Sequence, residues 1–106
     1  MYFHNIDALD TKEIFPGFTG HFIHTNNQTL AFWEVTAGSA VPEHEHPHEQ
    51  IVTVREGQFQ LTVNDETKIL HAGMIAVIPG NTKHSGIAVK DCKLFDIFCP
   101  IREDYK

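Results

Sequence analysis

The chain has 106 residues, 42% apolar and 21% charged, a size that fits one compact domain and excludes large two-domain cofactor enzymes. A domain this short buries roughly 60–70% of its unfolded surface, so its core is modest and any water-free site within it is small. Eight Lys and Arg stand against fourteen Asp and Glu, a net charge of −6, which is the wrong sign for neutralising phosphate backbones and argues against nucleic acid as a partner.

In chain order, the first ten residues carry Asp7 and Asp10 but neither Lys nor Arg. They lack the basic-then-apolar layout of a secretory signal, so a cytoplasmic location is expected. From there almost every segment alternates apolar and polar residues with a period of two, the pattern of short antiparallel strands. Eight strands are predicted, over residues 20–25, 29–36, 50–55, 58–63, 67–70, 74–78, 84–89 and 93–98, and no helix. Between them lie Asn26-Asn27, Glu56-Gly57, Asn64-Asp65, Pro79-Gly80-Asn81 and Lys90-Asp91, residues that tolerate positive φ or preset a turn. Eight short strands joined by tight turns without crossover helices imply an all-β sandwich or barrel, whose closure protects the strand edges.

Residues 38–49 read as the one long non-alternating loop inside the fold, and 100–106, polar and led by Pro100, as a tail along the barrel surface or across its mouth. The longest unbroken apolar run, residues 74–78, has five residues, against roughly 18–20 for a membrane-crossing helix, so no membrane partner is expected. Phe59, Leu61 and Val63 alternate as core positions, and Phe95 and Ile97 are assigned to the core on the face opposite Asp96. Trp33 lines either the barrel or a sheet that pairs with a second copy. Cys92 and Cys99 lie seven apart in one extended stretch, too far for a disulfide, and read as buried thiols of a reducing compartment.

The chemistry concentrates in the histidines, eight in all, three of them at His44, His46 and His48. A spacing of two along extended backbone puts His44 and His46 on one face, and Gln50 shares that parity. Residues 73–84 deliver a further imidazole, His84, after a proline turn and across the sandwich. Three imidazoles and one oxygen donor imply a divalent transition metal ion (Ni, Zn, Fe or Mn) without naming it. All four donors are neutral, so a bound ion keeps its double charge and favours anions. Asp96 interrupts an otherwise apolar strand, where a carboxylate must be paired, metal-linked or used. Phe98 shares its face, and Arg102 lies shortly beyond with a planar fork suited to a carboxylate. Asp96 and Arg102 could equally form a structural ion pair that pins the tail.

Gly38, His44, His46, Gln50 and Gly57 follow the pattern G-x5-H-x-H-x3-E-x6-G, with Gln50 at the Glu position. Gly73, Pro79 and His84 follow G-x5-P-x-G-x2-H-x3-N, with Asn81 in place of Gly and Ala88 in place of Asn. These are the two motifs of the cupin superfamily, which the sequence resembles. The resemblance implies a single-domain double-stranded β-helix or jelly-roll barrel over residues 1–106, with the first motif at 38–57, the second at 73–88 and a tail at 100–106. Asn adopts positive φ more readily than other non-glycine residues, so Asn81 suits its turn.

The run His-Glu-His-Pro-His-Glu-Gln ending at Gln50, together with Asp96, Phe98, Pro100 and Arg102, resembles the small cupins of pectin and alginate breakdown known as the KdgF family. That resemblance implies metal ligands at His44, His46, Gln50 and His84 and active-site roles for Asp96, Phe98 and Arg102. It implies a small anionic sugar acid as substrate and, as reaction, ketonisation of 4,5-unsaturated uronates with ring opening. It leaves His48 outside the ligand set, in a solvent-side or supporting role, while His4, His21, His24 and His71 default to surface or structural positions. Two other functions suit the same residues: an Fe(II) dioxygenase, and a non-catalytic module that binds a sugar acid. An exposed sheet face is expected to pair two copies into a homodimer.

Overall fold

The computed structural model describes residues 2–106. Ten strands run, among the described residues, β1 Thr11–Phe15, β2 Phe18–His24, β3 Thr29–Val35, β4 Ala40–His44, β5 Glu49–Glu56, β6 Gln58–Val63, β7 Glu66–His71, β8 Ile75–Ile78, β9 His84–Ala88 and β10 Cys92–Cys99. They form two antiparallel sheets, ordered β1-β2-β3-β10-β5-β8 and β4-β9-β6-β7. This is the predicted all-β jelly roll. The eight predicted strands are all present; β1 and β4 are additions. β4 lies inside the segment read as a loop, because Pro42 and two charged or polar neighbours hide its alternation while β9 supplies its ladder partners. Two single turns of 3-10 helix, Ile6–Ala8 and Glu103–Tyr105, are the helical content among the described residues, and no helix is long and apolar enough to cross a membrane.

The core lies between the sheets. Strand pairing on the larger sheet sets Phe22, Ala31, Asp96 and Val52 in one inward row across β2, β3, β10 and β5. Phe18, Phe22, Trp33, Phe98 and Tyr105 meet edge-on or tilted with ring centroids 5.4–6.2 Å apart, contacts worth about 0.5–1.5 kcal/mol each beyond their burial. Trp33 is thus a core residue rather than part of an outer face. The tail is anchored at two points: Arg102 is buried, and Tyr105 turns back into this aromatic group and is 6% exposed.

Parity places Phe95 and Ile97 on the opposite, outward face, correcting their assignment to the core. Leu94, Asp96 and Phe98 are buried instead, because β10 is central in its sheet and its inward set is fixed by the phase of Leu94. The outward residues still have apolar neighbours. Phe95 stacks on Phe32 at 4.7 Å, and Ile23, Leu30, Ile97, Ile51 and Val77 stand side by side across five strands.

The two cysteines also part company. Cys92, at the start of β10, is buried, and burial pushes its thiol up to about 11; Cys99, one residue before the tail, is exposed. Titration with a disulfide reagent at pH 8 is expected to modify Cys99 alone in the folded protein and both thiols in denaturant. Equal reaction of both in the folded protein would contradict this packing.

Candidate metal centre

His44 closes β4 and His84 opens β9, and the two face each other directly in the register of the smaller sheet, with rings 4.2 Å apart. His46 follows two residues on, its ring 5.6 Å from His44 and 4.9 Å from His84. One nitrogen from each of the three lies within 4.8 Å of the others. His84 therefore arrives from the neighbouring strand of the same sheet; the residue that comes from across the sandwich is Gln50, on β5. The loop carrying His46 is held rigidly. The Asn81 N–H donates to the His46 carbonyl at 2.7 Å. A Cβ at Gly80 would sit 2.3 Å from the Pro47 carbonyl oxygen, so only glycine lets the two turns touch. Asn81 takes φ +59°, as expected for the Asn that replaces a motif glycine.

The ring orientations follow from hydrogen bonds to the backbone. Nδ1 of His44 lies 2.8 Å from the Pro42 carbonyl, Nδ1 of His46 3.0 Å from that of His48, and Nδ1 of His84 2.7 Å from that of Thr82. A carbonyl only accepts, so each Nδ1 carries the proton and each Nε2 is left as a lone pair, the arrangement that metal-ligating imidazoles use. Burial, helped by the Arg102 charge, holds His46 down at about 4 and lowers His84 as well. Both rings are neutral at pH 7 and hold one proton each. His84 Nε2 is buried with no partner. His46 Nε2 faces Gln50 Oε1 at 3.1 Å. The amide is set in that direction because Gln50 Nε2–H donates to Asp96 Oδ2 at 2.9 Å. Two acceptors facing each other at this distance repel unless a cation lies between them. The donor set therefore fits a divalent ion held by His44, His46 and His84, with Gln50 Oε1 beside them.

The remaining predicted residues gather next to this cluster. Asp96 is 5% exposed; burial pushes its carboxyl up to about 7, against the opposing pull of Gln50, the Trp33 indole and Arg102. Phe98 borders His46 at 5.9 Å. Arg102 is 7% exposed and does not pair with Asp96. Its guanidinium donates to Asp104 through Nε at 3.0 Å and Nη2 at 2.8 Å, and it stacks 4.0 Å from the centroid of Tyr105 and 4.8 Å from that of Phe98. That geometry removes the structural Asp96–Arg102 pair considered from the sequence. A cavity of about 50 Å³ is lined by His44, His84, Gln50, Asp96 and Phe98 together with Trp33 and Phe59, while His46 and Arg102 lie outside its lining.

Two residues at the site escaped sequence reading. Thr29, 0% exposed, accepts the Arg102 backbone N–H on its hydroxyl at 2.9 Å, and Tyr105 forms part of the cavity lining. The inward parity of Thr29, opposite Phe98 in register, was the available signal for the first. Tyr105 ends the C-terminal run that carries the family resemblance, but its place in a polar tail gives no sign of its inward turn.

A jelly roll with three convergent imidazoles is a β-barrel of the cupin type whose donor set fits a metal ion. The cupin domain model matches residues 31–98, and the chain belongs to that family. No curated protein matches it in sequence. Among solved structures, it is similar to KdgF from Halomonas sp., with 28% identity over 98% of this chain and 99% of that one and a TM-score of 0.91. An RmlC-like cupin from Shewanella frigidimarina shares 24% identity over 100% and 96% of the two chains, with a TM-score of 0.93. The protein TT1209 from Thermus thermophilus shares 17% over 95% and 99%, with a TM-score of 0.79. The last two likenesses speak for the fold alone.

Proposed function

We propose that this cupin converts a 4,5-unsaturated uronate into its linear keto acid at the centre described above. The observation that carries the reading is a set of three buried polar atoms without partners: His84 Nε2, Asp96 Oδ1 and Arg102 Nη1. Buried polar groups are ordinarily satisfied, so a cluster of orphans points to a ligand that completes them. Together they call for a cation at the imidazole, a hydrogen-bond donor at Asp96 and an acceptor at the guanidinium. A sugar acid with an enol hydroxyl and a carboxylate supplies the last two, and the similarity to KdgF from Halomonas sp. agrees with the substrate class that the sequence resemblance implies.

In this reading His44, His46, His84 and Gln50 hold a divalent ion, which when bound supplies Lewis-acid polarisation of a substrate oxygen. Arg102 receives the carboxylate on the edge of its fork not occupied by Asp104. Phe98 and Tyr105 keep that fork flat and exclude water. Asp96, fixed through Gln50, takes the proton that leaves the enol oxygen and delivers it to carbon 4 of the sugar, so that no net proton is gained or lost. Ring opening breaks the bond between carbon 1 and the ring oxygen and leaves an aldehyde and an enol, which becomes a ketone; atoms balance and no oxidant is needed. The cavity of about 50 Å³ has room for a few waters, not for a whole sugar ring, so the reacting end enters while the rest stays at the mouth. The reaction belongs in the cytoplasm, where Cys92 and Cys99 remain free thiols.

We also propose that the chain acts as a homodimer through the outer face of the larger sheet. The row Ile23, Leu30, Ile97, Ile51 and Val77 is centred on β10 with two strands on each side, so a two-fold axis through Ile97 lays the row on a copy of itself. Glu34 and Lys93, neighbours in register, give the rim both signs of charge.

Each proposal has a direct check. Metal-loaded protein mixed with an unsaturated uronate should speed the ultraviolet loss of the conjugated double bond, and Asp96→Asn should lower kcat by about 10²–10⁴-fold. Arg102→Lys should raise KM chiefly. Decay at the spontaneous rate would remove this function, and oxygen uptake with a candidate substrate would favour the dioxygenase reading. Light scattering should give a dimer mass for the wild type and a monomer mass for Ile97→Arg with unchanged circular dichroism. A monomeric wild type at about 100 μM would contradict the dimer, whose interface should bury roughly 800 Å² per partner.

A further inference from the structure

His48 is the one histidine of the His44–His48 run that the cluster does not use, yet the structure gives it two contacts, one on each side of the mouth. Its backbone carbonyl accepts the His46 Nδ1–H at 3.0 Å. Its ring Nε2 lies 3.1 Å from the carbonyl oxygen of Ile101, 53 residues away in sequence. Because that carbonyl only accepts, Nε2 carries the proton. Its other ring nitrogen, Nδ1, is buried and unpartnered.

We infer that His48 is a positioning residue, a latch that fastens the C-terminal tail to the metal-binding loop and so sets where Arg102 stands relative to the imidazoles. The inference rests on the reading of Arg102 as the carboxylate receptor. The tail has few other anchors of comparable direction. Beyond Ile101 the Arg102 N–H is tied to Thr29, while the guanidinium bonds to Asp104 and the Tyr105 N–H to the Arg102 carbonyl only within the tail itself, and the Tyr105 ring packs on Phe22, Trp33 and Phe98. On the other side, the loop around His48 cannot follow a moving tail, since it is fixed by the Asn81 hydrogen bond to His46 and by the close approach of Gly80 to Pro47. A hydrogen bond between a rigid loop and a short tail fixes the tail. Loss of the ring donor frees the tail while leaving the carbonyl that orients His46 in place.

The distinction makes the latch separable from a metal ligand and from a merely structural histidine. His48→Phe keeps a ring of similar volume without the donor, and His48→Gln keeps an N–H that reaches Ile101. In His48→Phe, amide hydrogen exchange over residues 100–106 should rise about tenfold, the worth of one such hydrogen bond. Zn²⁺ affinity measured by calorimetry should change less than about threefold. KM for an unsaturated uronate should rise about tenfold while kcat changes less than about threefold, and His48→Gln should restore wild-type behaviour in every readout. Unchanged exchange in His48→Phe would overturn the proposal, and so would a Zn²⁺ affinity lowered by tenfold or more, which would make His48 a ligand. If His48→Phe does not fold, His48→Ala is read by the same criteria. Exchange and Zn²⁺ binding decide the latch even where the wild type turns over no uronate, an outcome that would sink the proposed reaction alone.

Discussion

Three backbone carbonyls, those of Pro42, His48 and Thr82, hold the site together. Each accepts a hydrogen bond from the Nδ1–H of one imidazole and thereby fixes both the tautomer and the plane of the ring. The consequence of this arrangement is a largely buried group of lone pairs, of which His84 Nε2 has no hydrogen-bond partner. Burial keeps His46 and His84 neutral, so the rings cannot relieve the conflict by taking up protons at pH 7. A cation would resolve it, and the three imidazoles with Gln50 beside them are a donor set that fits one.

The barrel supplies the precision. His44 and His84 are cross-strand neighbours, so sheet register alone brings them together. Gln50 and Phe98 are likewise paired across β5 and β10, with Asp96 two residues back on the same inward face. Asp96 is the costly member, a carboxyl in a row otherwise made of Phe22, Ala31 and Val52. Its hydrogen bond with Gln50 turns the amide so that oxygen faces the imidazoles. A direct bond from Arg102 would have satisfied Asp96 and left neither group free for a ligand. Asp104 occupies one edge of the guanidinium instead, which keeps Arg102 compensated while its Nη1 stays open.

Much of this was legible in the sequence because strands and metal sites both write themselves at short spacings. Alternation locates eight of the ten strands, and His-x-His followed by Gln marks three candidate donors, although Gln50 meets the imidazoles from the facing sheet rather than through shared parity. β4 escaped because its residues alternate poorly and its ladder comes from β9, which is distant in sequence. Phe95 and Ile97 were misassigned for a related reason: both phases of β10 are apolar, and only the position of that strand at the middle of a curved sheet decides which phase faces the core. Cys99 is exposed for the same reason: it closes that strand in the outward phase, with Phe95 and Ile97. The Arg102–Asp104 pairing and the inward turn of Tyr105 depend on how the tail closes the barrel, which no local pattern encodes.

Metal analysis of protein purified without a histidine tag tests the central claim most directly. Dialysed against a mixture of divalent transition ions, the chain should retain about one ion per molecule, and His84→Ala should retain none while keeping its β-sheet circular dichroism. A wild-type chain that stays metal-free, or that binds equally well without His84, would contradict the account.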